Sequence, residues 1–191
     1  MSPKTTEQFE EIRENRKKQI MEVALKVFAE EGYHNASISK IAQKANISKG
    51  LTYNYFKSKE DLLLQIIIEG TERLHGVFKD IEDELDTEEE LKIFIKGGIE
   101  LFKSDPHFYK LMFTVLFQAE AFDAIKNNYE KVMGGLMEDI AFYFKAKGDP
   151  YAMEKAFLLG AVMDGVGLQY ILSPETFDLE RLEAVIFELF K

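Results

Sequence analysis

Apolar residues recur along most of the chain at the three- and four-residue spacing of amphipathic helices. The first clear stripe consists of Ile20, Val23, Ala24, Val27 and Phe28, which a helix would place on one face. No segment shows sustained alternation of apolar and polar residues bounded by hairpin turns, so no strand is expected. The pattern predicts an all-α fold with about nine helices.

Glycines, prolines and capping residues mark the predicted ends of these helices. Gly32 and Gly148 suit the left-handed conformation that ends a helix. Ser37 and Ser48 precede two short helices, and serine is a favoured N-cap. Further starts are predicted at the capping boxes beginning with Ser58 and Thr87, at the acid–proline pairs Asp105-Pro106 and Asp149-Pro150, and at the last helix, Leu179 to Phe190.

Charge is distributed unevenly, although the whole chain of 191 residues carries a net charge of −10. Residues 1–60 hold 11 basic and 8 acidic side chains, whereas residues 61–191 hold 13 and 26. Between Gly32 and Lys59 there are five lysines and no acid. A polyanion-binding module joined to an acidic body would show this asymmetry, and so would a chance cluster of solvated lysines. The predicted domains are residues 10–60 and 61–191.

Residues 37–56 have the pattern of a helix, a tight turn and a second short helix. The turn falls at Asn46-Ile47, and asparagine tolerates a left-handed backbone better than most residues. A second helix of this length fits the major groove of DNA, with its first residues nearest the base edges. The residues expected to face outward from it are Lys49, Gly50, Leu51, Tyr53, Asn54 and Tyr55.

This segment resembles the TetR family. The resemblance lies in Gly32-Tyr33-His34, in the run from Ser37 to Gly50, and in the run from Tyr53 to Leu62. The family pattern most often has glycine at the position of Asn46 and histidine at that of Asn54, and it commonly has Thr-Leu where this chain has Leu51-Thr52. The departure at Asn46 lies in the turn, where asparagine tolerates the left-handed conformation. The other two lie on or beside the reading surface, so they bear on the operator sequence.

The resemblance implies a role for each matching position. Ser37 and Ser48 would contact phosphates, and Lys49, Gly50, Leu51 and Tyr53 would lie in the major groove. Asn54, Tyr55 and Lys59 would hold the DNA backbone; for Lys59, a solvated lysine at a helix start is the alternative. The resemblance also implies a homodimer formed through helices at about 150–172 and 178–190. The small residues of the first of these helices suit close packing within the chain equally well.

The acidic body is rich in aromatic residues, with 13 of the 16 phenylalanines between residues 61 and 191. Most are expected to be core, but this much aromatic surface also suits a cavity for an apolar or aromatic effector. A helix over 62–78 would connect the two domains without a linker, and its far end near Leu74 and Phe78 would be displaced by a ligand. The effector-binding candidates are Phe102, Phe113, Phe117, Tyr129 and Asp164.

Other classes of protein find less support in the sequence. The chain contains no cysteine and no recognised catalytic or nucleotide-binding motif, and its histidines lack paired ligand spacing, so no enzyme, metal or cofactor is expected. Neither an export signal nor a membrane span is expected, which favours the cytoplasm. A helical carrier of hydrophobic molecules that does not bind DNA is the alternative. The resemblance favours a ligand-responsive, dimeric transcriptional repressor that binds an operator in double-stranded DNA.

Overall fold

The computed structural model describes residues 6–77 and 85–191. This part of the chain contains nine α-helices, one 3₁₀ turn and no strand, which confirms the predicted all-α fold. The helices are α1 (Thr6–Glu31), α2 (Ile38–Lys44), α3 (Lys49–Tyr53), α4 (Lys59–Val77), α5 (Glu88–Ser104), α6 (Pro106–Leu116), α7 (Ala119–Ala146), α8 (Ala152–Leu172) and α9 (Leu179–Phe190).

The chain divides into two compact units that do not follow sequence order. The N-terminal unit comprises the described residues up to Ile67 together with Thr114–Lys126. The C-terminal unit comprises Ile68–Phe113 and Asn127–Lys191, in their described parts. The first turns of α4 and the junction between α6 and α7 therefore group with the N-terminal helices. The domain limits 10–60 and 61–191 stay a prediction.

The N-terminal unit is built on the apolar stripe of α1. Ile20 and Phe28 are fully buried, as are Ile41 of α2 and Phe56 after α3. Two left-handed residues set the directions of the connecting turns: Gly32, with φ 84°, ends α1, and Asn46, with φ 54°, lies between α2 and α3. The predicted left-handed conformation of Asn46 is confirmed.

In the C-terminal unit, α5 packs against α8 and α9. Two glycines allow the close approach of α5 and α8. A β-carbon on Gly98 of α5 would overlap Met163 of α8, and one on Gly167 of α8 would overlap Phe102 of α5. Each helix therefore carries one glycine and one large residue four positions apart, and each glycine faces the large residue of the other helix. The two pairs interlock.

The predicted helix starts are mostly confirmed. Thr87 and Glu90 form both bonds of a capping box, and Asp105 Oδ1 accepts a hydrogen bond from the backbone N–H of Phe108 at 3.0 Å, just before Pro106 begins α6. The prediction that Pro150 is the first residue of a helix is wrong, because α8 begins at Ala152. Asp149 instead accepts a hydrogen bond from Tyr151 N–H in the preceding turn, at 2.8 Å.

Candidate nucleic-acid interface

The two short helices of the N-terminal unit are capped as the sequence predicts. Ser37 Oγ accepts a hydrogen bond from Lys40 N–H at 3.2 Å, and Ser48 Oγ accepts one from Leu51 N–H at 3.1 Å. Each cap uses an oxygen lone pair and leaves the hydroxyl proton available. Both serines are exposed, so each can still donate a hydrogen bond to a phosphate oxygen.

Four of the six residues predicted to face outward from helix α3 and the segment after it are exposed. Lys49, Gly50, Tyr53 and Asn54 are exposed, whereas Thr52 is fully buried and its hydroxyl lies 3.4 Å from the Ser48 carbonyl oxygen. Leu51 and Tyr55 are half-buried. A β-carbon on Gly50 would meet no atom within 4 Å. This face can therefore approach a groove closely, with Tyr53 and Lys49 projecting from it.

Not every lysine in the segment from Gly32 to Lys59 is available to bind DNA phosphates, because some are paired with a carboxylate. Lys40 and Lys44 of α2 both pair with Glu31 at the end of α1, and the Lys44 contact is 2.7 Å. These pairs lower the pKa of the Glu31 carboxyl below its usual value. Within residues 6–77 and 85–191, no carboxylate lies within ion-pair distance of Lys49 or Lys57. Those two lysines are the clearest candidates for phosphate contacts in this segment.

Lys59 is bound by the protein itself. Its ammonium group donates to the carbonyl oxygens of Tyr33, His34 and Ala36, at 2.8, 3.5 and 3.2 Å, and lies 4.2 Å from the centre of the Tyr33 ring. These contacts hold the start of α4 against the α1–α2 turn. The phosphate contact predicted for Lys59 stays a prediction, but any such contact must share an ammonium group that already has three acceptors.

The structure adds neighbours that sequence reasoning missed. Ser39 and Gln43 line an open groove of about 440 Å³ between α2 and α3, together with Asn46, Ser48 and Lys49. Their four-residue spacing on an exposed helical face was the available signal. The guanidinium of Arg13 lies 6.0 Å from the centre of the Tyr55 ring, a contact between α1 and the segment after α3 that no local pattern indicates.

The five effector-binding candidates are not brought together as one set. Phe102 and Phe113 stack in the C-terminal unit, with ring centres 6.4 Å apart, and Phe102 is 9% exposed because it packs on Gly167. Phe117 belongs to the N-terminal unit and is 75% exposed. The side chains near the far end of α4, at Leu74 and Phe78, lie outside the described residues.

Tyr129 of α7 and Asp164 of α8 influence each other electrostatically. Burial raises the pKa of the Tyr129 hydroxyl, and the charge of Asp164 raises it further. Asp164 is exposed to solvent rather than buried, yet the surrounding protein raises the pKa of its carboxyl.

The geometry of α2, α3 and their turn agrees with a match to a family model. Residues 20–66 match the model of bacterial regulatory proteins of the tetR family. This N-terminal segment is a helix-turn-helix module of the TetR family. Its helix-turn-helix is therefore a DNA-binding element, and the protein functions in the regulation of transcription.

Similarity to individual proteins extends over most of the chain. The fatty acid metabolism regulator protein of Bacillus subtilis is 26% identical over 178 residues, which cover 90% of this chain and 91% of that protein. The structure of the fatty acid degradation regulator FadR from Bacillus halodurans matches with a TM-score of 0.68 at 25% identity, over 99% and 96% of the two chains. FadR from Bacillus subtilis, determined in complex with stearoyl-CoA, matches with a TM-score of 0.71 at 23% identity, over 90% and 96%.

Two further features bear on the kind of site present. Among the described residues there is no group of three or more His, Cys, Asp and Glu side chains that could hold a metal ion. Helix α8 is long and apolar enough to cross a membrane by length and composition, and 22% of its most apolar window is buried. One such helix is weak evidence for a membrane span.

Proposed function

We propose that this TetR family protein is a homodimeric repressor in the cytoplasm whose two α3 helices read a pseudo-palindromic operator. The capped α2–α3 pair with its exposed Lys49, Gly50, Tyr53 and Asn54 carries the proposal. A two-fold dimer presents two copies of this face, so the matching DNA has two half-sites in inverted orientation. A carrier of hydrophobic molecules without DNA binding would have no use for such a face.

Selection of bound fragments from genomic DNA tests the operator proposal. We expect an enriched pseudo-palindrome, with binding that weakens as salt is added because phosphate contacts release counterions. Replacing Tyr53 by alanine should cost roughly 1–3 kcal/mol of binding free energy on this site and reduce discrimination between sites. Enrichment of sequences without two-fold symmetry, or an unchanged Tyr53→Ala variant, would contradict the proposal.

For the effector we propose a long-chain acyl-CoA bound in the C-terminal unit. The proposal is supported by the similarity to the Bacillus regulators of fatty acid metabolism over nine-tenths of each chain. It is supported chemically by Phe113, which is half-buried, stacks on the buried ring of Phe102 and is an aromatic side chain that an acyl chain could contact. Tyr129 and Asp164 of the same unit complete the set of residues proposed to respond to it, whereas Phe117 belongs to the N-terminal unit and is left out of the set.

Operator affinity is measured in the presence of stearoyl-CoA, stearate or coenzyme A. The comparison shows whether the acyl chain, the coenzyme A group or both are needed for release. We expect release by stearoyl-CoA and no release by coenzyme A alone, because the acyl chain supplies the apolar contact. A preference of about 3 kcal/mol for the released state weakens operator binding by ~150-fold, and by reciprocity the operator weakens ligand binding equally. Release by none of the three compounds would rule out the acyl-CoA proposal while leaving the operator proposal intact.

A further inference from the structure

The side chain of Gln118, at the junction between α6 and α7, binds the end of α1 and the turn that leads to α2. The Tyr33 N–H donates to Gln118 Oε1 at 2.7 Å, and Gln118 Nε2 donates to the Phe28 carbonyl oxygen at 2.9 Å. These partners are 85 and 90 residues away in sequence. A single amide thus uses both its donor and its acceptor on the end of α1.

The backbone groups that Gln118 binds are those left over where a helix ends. Gly32 turns the chain out of α1 with φ 84°, so a carbonyl of the last turn and the next N–H need partners outside the helix. Gln118 supplies both partners. The side chain is partly buried at this point, which shields the two bonds from competing water.

The same turn holds other contacts that place the DNA-reading helices. Tyr33 is 4% exposed and packs its ring against Phe28 at 5.2 Å. Lys59 binds the carbonyl oxygens of the turn from the start of α4, and Glu120 of α7 lies 2.9 Å from His34. A shift of the α6–α7 junction would therefore act directly on the turn between α1 and α2.

Helices α6 and α7 also carry residues of the C-terminal unit. Helix α6 bears Phe113 in that unit and ends just before Gln118, and α7 starts just after Gln118 and bears Tyr129. Both residues belong to the proposed effector-responsive set. A movement of either helix is transmitted along its backbone to the Gln118 junction.

The geometry points to Gln118 as a positioning residue. It transmits a change caused by effector binding from α6 and α7 to the DNA-reading helices α2 and α3. This inference rests on the proposed function, because it concerns how two DNA-reading modules are set to match one operator. It predicts that loss of the two Gln118 hydrogen bonds weakens binding to DNA with two half-sites, which needs both DNA-reading modules of the dimer. Binding to a single half-site, which needs only one module, should stay the same. A residue that only stabilised the fold would affect both kinds of binding equally.

The test compares Gln118→Met with the wild-type chain on two duplexes, one with both half-sites of the selected operator and one with a single half-site. Methionine keeps the length of the side chain and removes both hydrogen bonds. We expect about tenfold weaker binding of the two-site duplex, the scale of coupling between sites, and unchanged binding of the single half-site. The release of the two-site duplex by stearoyl-CoA should shrink in the same variant.

Gln65→Met is the matched control. Gln65 lies in the same unit and accepts a long-range hydrogen bond from Lys17 Nζ at 3.1 Å. This hydrogen bond does not involve the α6–α7 junction. We expect this variant to keep the wild-type ratio between the two duplexes. If Gln118→Met fails to fold, Gln118→Glu serves instead, because it keeps the acceptor for Tyr33 N–H and loses the donor to Phe28.

The possible outcomes are distinguishable. A Gln118→Met variant with the wild-type ratio between the duplexes and wild-type release overturns the inference alone, and so does an equal loss on both duplexes. A wild-type chain that binds both duplexes equally overturns the proposed function, and the inference with it. If the wild-type chain is not released by stearoyl-CoA, the acyl-CoA proposal fails, and the comparison of duplexes still decides the role of Gln118.

Discussion

At the scale of single residues, the lysines near α2 and α3 differ in the partners of their ammonium groups. Lys40 and Lys44 are paired with Glu31, and the ammonium group of Lys59 binds three backbone carbonyls. Lys49 is exposed and lies 5.9 Å from the centre of the Tyr53 ring on the face of α3. Residues of one type in one short segment are therefore expected to respond differently to substitution.

Lys49→Ala and Lys59→Ala should separate DNA contact from structural support. We expect Lys49→Ala to reduce the slope of log affinity against log salt by about one unit, with little change in stability. Lys59→Ala should change the slope less and lower the free energy of unfolding by about 1–3 kcal/mol, because partly buried backbone carbonyls lose a charged donor. Salt titration of operator binding and denaturant unfolding measure the two effects. The opposite pattern would assign the phosphate contact to Lys59.

Among the helices, local signals explain most of what the sequence predicts correctly. The caps at Ser37, Ser48 and Thr87 involve partners three residues away, and Asn46 is a residue type that tolerates the left-handed conformation of the turn. Helix α8 starts later than predicted because Asp149 caps the turn at Tyr151 and pairs with Lys155, so a local acid–proline signal was not sufficient.

The turn between α2 and α3 offers a direct test at this scale. Asn46 has φ 54°, a conformation that costs a residue with a β-carbon roughly 1–2 kcal/mol and glycine almost nothing. Asn46→Gly should therefore raise the free energy of unfolding, by about 1 kcal/mol at most, and Asn46→Ala should lower it. Denaturant unfolding of the three proteins gives the order. An alanine variant as stable as the glycine variant would contradict the backbone argument.

The candidate site was only partly predictable because its contacts join distant parts of the chain. The exposed face of α3 follows from its short helical pattern. Thr52, which is not among the residues predicted to face outward, is buried. No pattern in the sequence links Gln118 to Phe28 and Tyr33 across 85 to 90 residues. The aromatic residues of the body are equally suited to core and cavity by composition, and only packing shows that Phe102 lies on Gly167.

At the scale of the whole molecule, α8 and α9 leave large apolar side chains exposed. They include Phe157 and Leu158 of α8, which are 58% and 57% exposed, and Leu189 of α9, which is 69% exposed. Gly165 also faces open space, whereas Gly160 and Gly167 lie against Met137 and Phe102 of the same chain. Exposed apolar surface of this kind marks an interaction site, which supports the proposed dimer helices.

Leu189→Glu should therefore disrupt the dimer. A charge in an apolar interface loses hydration without gaining a partner, so sedimentation at micromolar concentration should show the variant as a monomer and the wild-type chain as a dimer. Binding of the two-site operator should fall, while binding of a single half-site should stay the same. Gly165→Leu tests the same surface on α8. A dimeric Leu189→Glu variant would exclude α9 from the interface.

The grouping of Thr114–Lys126 with the N-terminal helices limits how this protein can be recombined with others. A chimaera that joined residues 1–60 to the body of another family member would carry Phe28 and Tyr33 but not Gln118. Its DNA-reading module would lack partners for the end of α1 unless the foreign body supplied an amide at the equivalent place. A transplant that also carries residues 114–126 keeps both bonds, so the unit of exchange is two separate stretches of chain.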